Sequence, residues 1–208
     1  REGKFAEEIV PVPLKQAKGA LSVFAEDETP RPDTTLDKLA KLKTVYKDGI
    51  CTAGNSSSEN DGAGAVVLAS ESYAREMGLK PLVRFVAGAN GACDPTLTYP
   101  AVASAVNKAL SRAQLTLGDI ELMEIQEAFA AQVLADAKIL ELTPDQCDLK
   151  VNVNGSGISL GHPIGATGTM RMVTLVHEMA RRGTSYALET ICGGGGQGVA
   201  IILKGIPT

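Results

Sequence analysis

From Lys80-Pro81 onward, apolar segments of strand length alternate with segments of helical period, and nothing else in the chain limits the possible folds as strongly. Residues 82–87 read as a strand, and residues 100–110 as a helix with Val102, Ala105, Val106, Ala109 and Leu110 on one face. A strand over 121–125, a helix over 128–140, a short strand over 151–154, a helix over 166–182 and a strand pair at 186–191 and 199–203 follow. This pattern predicts an α/β sheet covered by helices. The first third differs. Residues 1–48 mix charges evenly, include the loop-like stretch from Glu26 to Pro32, and repeat apolar residues at helical spacing only at Leu36, Leu39 and Leu42. Residues 48–64 are rich in Gly, Ser and Asn, a composition for a tight loop that lets a ligand approach closely. A short buried strand is expected at 63–68 and a helix at 71–77, closed by Gly78.

Composition removes several function classes. With 208 residues, 44% hydrophobic and 21% charged, the chain can bury a real core. The formal net charge is −4 without a lysine and arginine cluster, which argues against nucleic-acid partners. No apolar run has the length of a membrane span, and no leader pattern opens the chain, so a soluble cytoplasmic protein is expected. Cys51, Cys93, Cys147 and Cys192 are more than 40 residues apart, and there are only two histidines, so neither a disulfide framework nor a metal site is expected. Arg1 opens a stretch that reads like the middle of a protein, so a fragment or a cut precursor is expected.

Three segments carry residues suited to proton transfer and anion binding. His162 precedes Pro163 in a loop leading into the helix from residue 166, where free N–H groups and positive potential suit a developing anion. A histidine there can exchange a proton near neutral pH; the alternative is a histidine that only caps the helix. His177 borders the apolar stripe of Met172, Val173, Val176, Met179 and Ala180 and reads as a helix-surface side chain. Cys192 ends a strand and precedes four glycines. A buried structural cysteine is the usual explanation, but packing alone gives no reason to remove four neighbouring side chains. The G-x-G-x-x-G at Gly193, Gly195 and Gly198 is not a dinucleotide fingerprint, because a strand follows it rather than a helix. Gln126, Glu127, Ala128 and Phe129 lie where a strand passes into a helix, the usual place for ligand-facing residues. There Gln126 holds a water or a carbonyl, or simply opens the helix. The loop from Thr52 to Ser58 either wraps an amide-bearing tail or is a flexible turn.

Together these strings resemble the C-terminal half of a thiolase, the family that makes or cleaves 3-oxoacyl-CoA thioesters. The resemblance rests on NVNGSGISLGHPIGATG ending at Gly168, CGGGGQG from Cys192, EAFAAQ from Glu127, TAGN from Thr52 with Asn60-Asp61-Gly62, and EIVPV from Glu8. It implies a layered α-β-α-β-α fold. Residues 1–57 would end its loop domain, 58–81 would supply a strand and helix to the N-terminal domain, and 82–208 would form the C-terminal domain. It implies acyl transfer to coenzyme A by Claisen condensation or thiolytic cleavage, with CoA and acyl-CoA as substrates and no permanently bound cofactor. The nucleophilic cysteine would come from the N-terminal half, in the same precursor or a separate subunit, within a homo- or hetero-oligomer, dimer or tetramer. His162 would then activate that nucleophile, Cys192 would be the general acid/base, and the Gly194 amide would join an oxyanion hole. Ala53 and Ser57 would meet pantetheine, with Phe129 also in the CoA site and Arg31 and Tyr46 at the nucleotide end. Two departures stand out. Gln126 replaces an asparagine that holds a water, so its longer amide shifts that water or meets the substrate oxygen directly. Leu97-Thr98-Tyr99-Pro100 replaces a G-T-G-P turn and alters the acyl pocket.

Two rivals remain. A ketoacyl synthase of the same fold commonly has histidine or asparagine where Cys192 stands, and a non-catalytic thiolase-like subunit would bind acyl-CoA or scaffold a partner.

Overall fold

A computed structural model describes residues 2–15, 21–97 and 99–206. Arg1 and Thr98, on which two sequence expectations partly rest, lie outside the described residues. In chain order the elements are β1 (Val12–Lys15), β2 (Leu21–Phe24), α1 (Leu36–Ala40), α2 (Glu71–Glu76), β3 (Val83–Ala92), α3 (Tyr99–Ala113), β4 (Leu122–Ile125) and α4 (Ala130–Ile139). Then follow α5 (Pro144–Lys150), α6 (Gly157–Leu160), α7 (Thr167–Arg182), β5 (Tyr186–Gly193) and β6 (Gln197–Gly205).

The sheet runs in the order β3-β6-β5-β4. β6 pairs antiparallel with both β3 and β5, while β4 joins β5 in parallel. Strand alternation divides the apolar side chains between two faces. On one, Met123, Ile125, Leu188, Ala200 and Ile202 meet Val102, Ala105, Val106 and Ala109 of α3 and Leu140 after α4. On the other, Leu122, Ala187 and Leu203 meet Leu175 and Met179 of α7. The face predicted for α3 is the buried one. α5 is a helix the apolar pattern did not reveal; Thr143 and Gln146 form its capping box and Pro144 opens it.

Two expected strands are absent. Residues 63–68 form no ladder among the described residues and are exposed, with Val67 at 93%. Their apolar β-formers were read as a buried strand, but a strand needs a neighbouring edge for its N–H and C=O groups, and none of the described edges reaches them. Residues 151–154 contribute a single bridge, Met123 to Val151. Asn152 adopts a φ of +48° and leaves the ladder. Its side chain takes over: Ile125 N–H donates to Oδ1 at 2.8 Å, and Nδ2 donates to the Ile125 carbonyl at 2.8 Å. An amide side chain imitates the backbone it displaced.

Candidate active site

His162 lies between α6 and α7, and its loop is fixed from the backbone upward. The preceding Gly161 has φ +92°, and a Cβ there would lie 2.4 Å from Asn60 Oδ1. Only glycine meets both demands. The His162 N–H donates to the Ser58 carbonyl at 3.1 Å and to Asn60 Oδ1 at 3.2 Å, so the loop before residue 61 holds the histidine backbone. The ring is oriented by Thr167, whose Oγ1 is 2.8 Å from Nδ1 and itself donates to the Pro163 carbonyl at 2.9 Å. With the hydroxyl proton committed to Pro163, Oγ1 accepts from Nδ1–H, which assigns the lone pair to Nε2. Burial, then the positive charge of Arg171, holds the imidazole below its ordinary value. His162 is therefore a neutral base at pH 7, with Nε2 as its acceptor. His177, farther along α7, lies 3.8 Å from Glu7 as a helix-surface residue.

Gln126 follows β4 directly, and its N–H donates to the Thr190 carbonyl of β5 at 3.0 Å. Its side chain is 2% exposed, and neither Oε1 nor Nε2 has a hydrogen-bond partner among the described residues. A Cβ on Gly157 would lie 2.3 Å from Nε2, so the amide rests directly on the start of the α6 turn. Glu127 ties the same region together, accepting from Asn152 Nδ2 at 3.3 Å and from Ile158 N–H at 3.1 Å. An unsatisfied buried amide is costly, so this one is available to a water or a ligand.

Cys192 stands near the end of β5, opposite Gly198 of β6. The glycine run after it turns out to have packing reasons at three places. Gly195 and Gly196 have φ of +82° and +77°, and a Cβ on Gly196 or Gly198 would press against the Cys93 or Ala101 carbonyl at 2.6 or 2.5 Å. A tight turn under the α3 backbone therefore accounts for most of the run. Gly194 differs: its Cβ would meet nothing within 4 Å, so its backbone borders open space.

The loop over 52–60 is sewn to the α4 entrance. Ala130 N–H donates to the Asn55 carbonyl at 2.9 Å, Ser57 N–H and Oγ both donate to the Ala128 carbonyl, and Ser56 bridges Phe129. Ala53 and Phe129 are exposed beside this seam. One contiguous region thus holds Ser57, Gln126, His162 and the end of β5 that carries Cys192. A cavity of about 470 Å³ adjoins the histidine loop, lined by residues 60–64 and by Pro163, Ile164, Gly165, Ala166 and Thr169. Arg31 and Tyr46 lie in the exposed first third of the chain, Tyr46 at 76%.

The family description "Thiolase, C-terminal domain" matches residues 79–205, and "Thiolase, N-terminal domain" matches residues 1–72. The chain belongs to the thiolase family. It is 49% identical over 98% of its length to an acetyl-CoA acetyltransferase of Chromobacterium violaceum, covering 51% of that protein. Its fold matches the crystal structure of the Bacillus anthracis acetyl-CoA acetyltransferase with a TM-score of 0.93 at 45% identity, over 98% of this chain and 51% of that one. Human mitochondrial 3-ketoacyl-CoA thiolase in complex with CoA gives 0.87 at 42% identity, over 98% and 50%. The chain spans about half the length of the relatives it matches. Within this thiolase chain, sequence reading missed the parts played by Asn152, Glu127 and Asn60. All three stood in the signature strings, but only their hydrogen bonds reveal that they hold the site loops.

Proposed function

We propose that this chain is the C-terminal part of a thiolase that transfers acyl groups to and from coenzyme A, by Claisen condensation of two acyl-CoA molecules or by thiolytic cleavage of a 3-oxoacyl-CoA. The observation that carries the reading is the orientation of His162, whose Nδ1 is bound to Thr167 and whose Nε2 is free to take a proton. In this reading Nε2 accepts the proton of a nucleophilic cysteine supplied by the N-terminal thiolase half. Cys192 then removes a proton from the second acyl-CoA, or returns one to the leaving carbanion in the thiolytic direction. The Gly194 amide stabilises the oxyanion of the acyl-enzyme, and Gln126 binds either the thioester oxygen or the water that meets it. Support for Gly194 comes from the open space beside it, and for Gln126 from its two unsatisfied polar atoms. The pantetheine arm lies along Ala53, Ser57 and Phe129, and the nucleotide reaches toward Arg31 and Tyr46.

The same reading assigns residues 1–57 to the end of the loop domain, 58–81 to the N-terminal domain and 82–208 to the C-terminal domain. The exposed apolar stretch over 63–68 would find its missing edge in that N-terminal sheet. CoA and acyl-CoA are substrates rather than resident cofactors, and the complete protein is a cytoplasmic oligomer. No helix among the described residues is long and apolar enough to cross a membrane.

The test is made in the complete protein. His162→Ala should abolish acylation of the nucleophilic cysteine by acyl-CoA, read as mass added to its peptide. Cys192→Ala should leave that acylation intact and stop condensation and thiolysis. Unchanged acylation in the first variant, or unchanged turnover in the second, overturns the corresponding role.

A further inference from the structure

Helix α4 carries a carboxylic acid that the proposed chemistry does not use. Its buried face is formed by Gln132, Val133, Asp136 and Ala137, continued by Leu140, at helical spacing. Asp136 is 0% exposed. One of its oxygens accepts from Gln132 Nε2, and Gln132 Oε1 accepts in turn from the Ala128 N–H at 3.2 Å. The other oxygen, Oδ1, has no hydrogen-bond partner among the described residues. Strand alternation puts Leu188, Thr190 and Cys192 on one face of β5, and Cys192 packs against the apolar cluster that includes Ile125, Leu188 and Leu140. Val133 on α4 and Leu140 just after it, which flank Asp136, pack into that same cluster. The acid and the thiol therefore share one layer between helix and sheet.

We propose that Asp136 is a positioning residue for Cys192: the charge on its buried carboxyl governs when the thiol can release its proton. While Asp136 is protonated, Cys192 can become a thiolate without a second negative charge in that layer. Once Asp136 has lost its proton, a thiolate must form beside an existing carboxylate, and the thiol is held in its proton-carrying form. The surroundings agree. Burial pushes Asp136 up to about 7, against the bond from Gln132 that lowers it, so its charge changes near neutrality. Burial, and next the Asp136 charge, raise the Cys192 thiol, against a smaller lowering from its own backbone N–H. Among the described residues no cation pairs with the carboxylate. Lys108 and Arg112 of α3 donate to the carbonyls of Asn90 and Gly88, Lys150 of α5 donates to the Ile120 carbonyl, and Lys138 of α4 is exposed. The remaining titratable groups on α3, α4, α5 and β5 are Tyr99, Asp145, Cys147, Asp148, Tyr186, Glu189 and Cys192 itself.

This inference builds on the acid/base role proposed for Cys192, but its test needs no turnover. In the complete protein, without acyl-CoA, alkylation of Cys192 by iodoacetamide is followed peptide by peptide by mass spectrometry from about pH 6 to 10. Asp136→Asn keeps an acceptor for Gln132 and removes the charge. It should speed Cys192 alkylation roughly three- to tenfold at about pH 8 and move the midpoint to lower pH. Cys51 and Cys147 should react as in the wild type. A Cys192 profile that superimposes on the wild type overturns the proposal, as does an equal acceleration at Cys147, which would report loosened structure. Should Asp136→Asn fail to fold, the wild type still decides. The Asp136 carboxyl carbon, followed by NMR, must titrate with a step that coincides with an inflection in the Cys192 profile; a single-ionisation profile for Cys192 overturns the coupling. The two readings fail separately. An unshifted profile with a dead Cys192→Ala enzyme removes only the role of Asp136, and a shifted profile with an active Cys192→Ala enzyme removes only the catalytic role of the thiol.

Discussion

Gln126 illustrates how a single buried residue can cost stability while offering unpaired polar groups to a ligand. Its primary amide is buried on the Gly157 turn, with donor and acceptor both unpartnered among the described residues. Leaving such groups dry costs on the order of 1–3 kcal/mol. Gln126→Leu, of similar volume, should therefore leave the melting temperature unchanged or raised, while lowering kcat/KM for acyl transfer at least about tenfold, or about 1.4 kcal/mol of barrier. Calorimetry and steady-state kinetics on the complete protein check both halves. A lower melting temperature with unimpaired kinetics would mean that the amide is structural. His162 makes a related point. Its position was legible in the sequence as a histidine at a helix entrance, but its basic nitrogen was not, because the tautomer depends on where the Thr167 hydroxyl sends its proton.

Among the elements, the turn over 152–158 is held by side chains more than by a ladder. Asn152 makes two bonds to the Ile125 backbone and one to Glu127, which also holds Ile158 N–H. Asn152→Ala should cost about 2–3 kcal/mol, seen as a lower denaturant midpoint with unchanged slope. A loss under about 0.5 kcal/mol, the range of ordinary surface substitutions, would show that the mimicry contributes little. Helices with a long apolar stripe were legible from the sequence: α7 lies within a residue of its predicted limits, and α3 starts one residue before and ends three residues after its own. The short α5 was not, since its signal is a capping box rather than a stripe. The expected strands at 63–68 and 151–154 fail differently: the first has no described edge to pair with, and the second meets the β4 edge at Val151 and leaves it at Asn152. β-propensity says what suits a pleated surface, not whether an edge is there to pair with.

The whole molecule carries an electrostatic load beneath its sheet. Glu124 and Glu189 are paired across β4 and β5, both buried on the side of α7, where Arg171 is also buried with Nε and Nη1 unpartnered among the described residues. Burial pushes both carboxyls up to about 8, against the opposing charge of Arg171. At Glu178 burial also works against ionisation, but the bonds from Asn154, Arg181 and Arg182 together outweigh it and hold the carboxyl down at about 2. The signs follow from linkage. For Glu124 and Glu189 the folded state binds protons more tightly than the unfolded chain, so their contribution to stability declines as pH rises from about 4.5 through 8. For Glu178 the contribution is present above about 4.5 and is lost as pH falls toward 2. Urea midpoints of the complete protein should accordingly fall between about pH 5 and 9, and Glu189→Gln should flatten that decline; a flat wild-type profile would contradict the buried pair. The sequence by itself determined which residues could do chemistry, the alternation that makes an α/β sheet, the buried faces of the long helices and the likeness to thiolases, because these are properties of residue type and short-range period. Only the tertiary structure decided which nitrogen of His162 is basic, that the Gln126 amide is buried without a partner among the described residues, that Gly194 is the glycine of its run that borders open space, and that Asp136 shares a layer with Cys192. Each of these depends on partners supplied by other segments of the chain, and no local period encodes which segments those are.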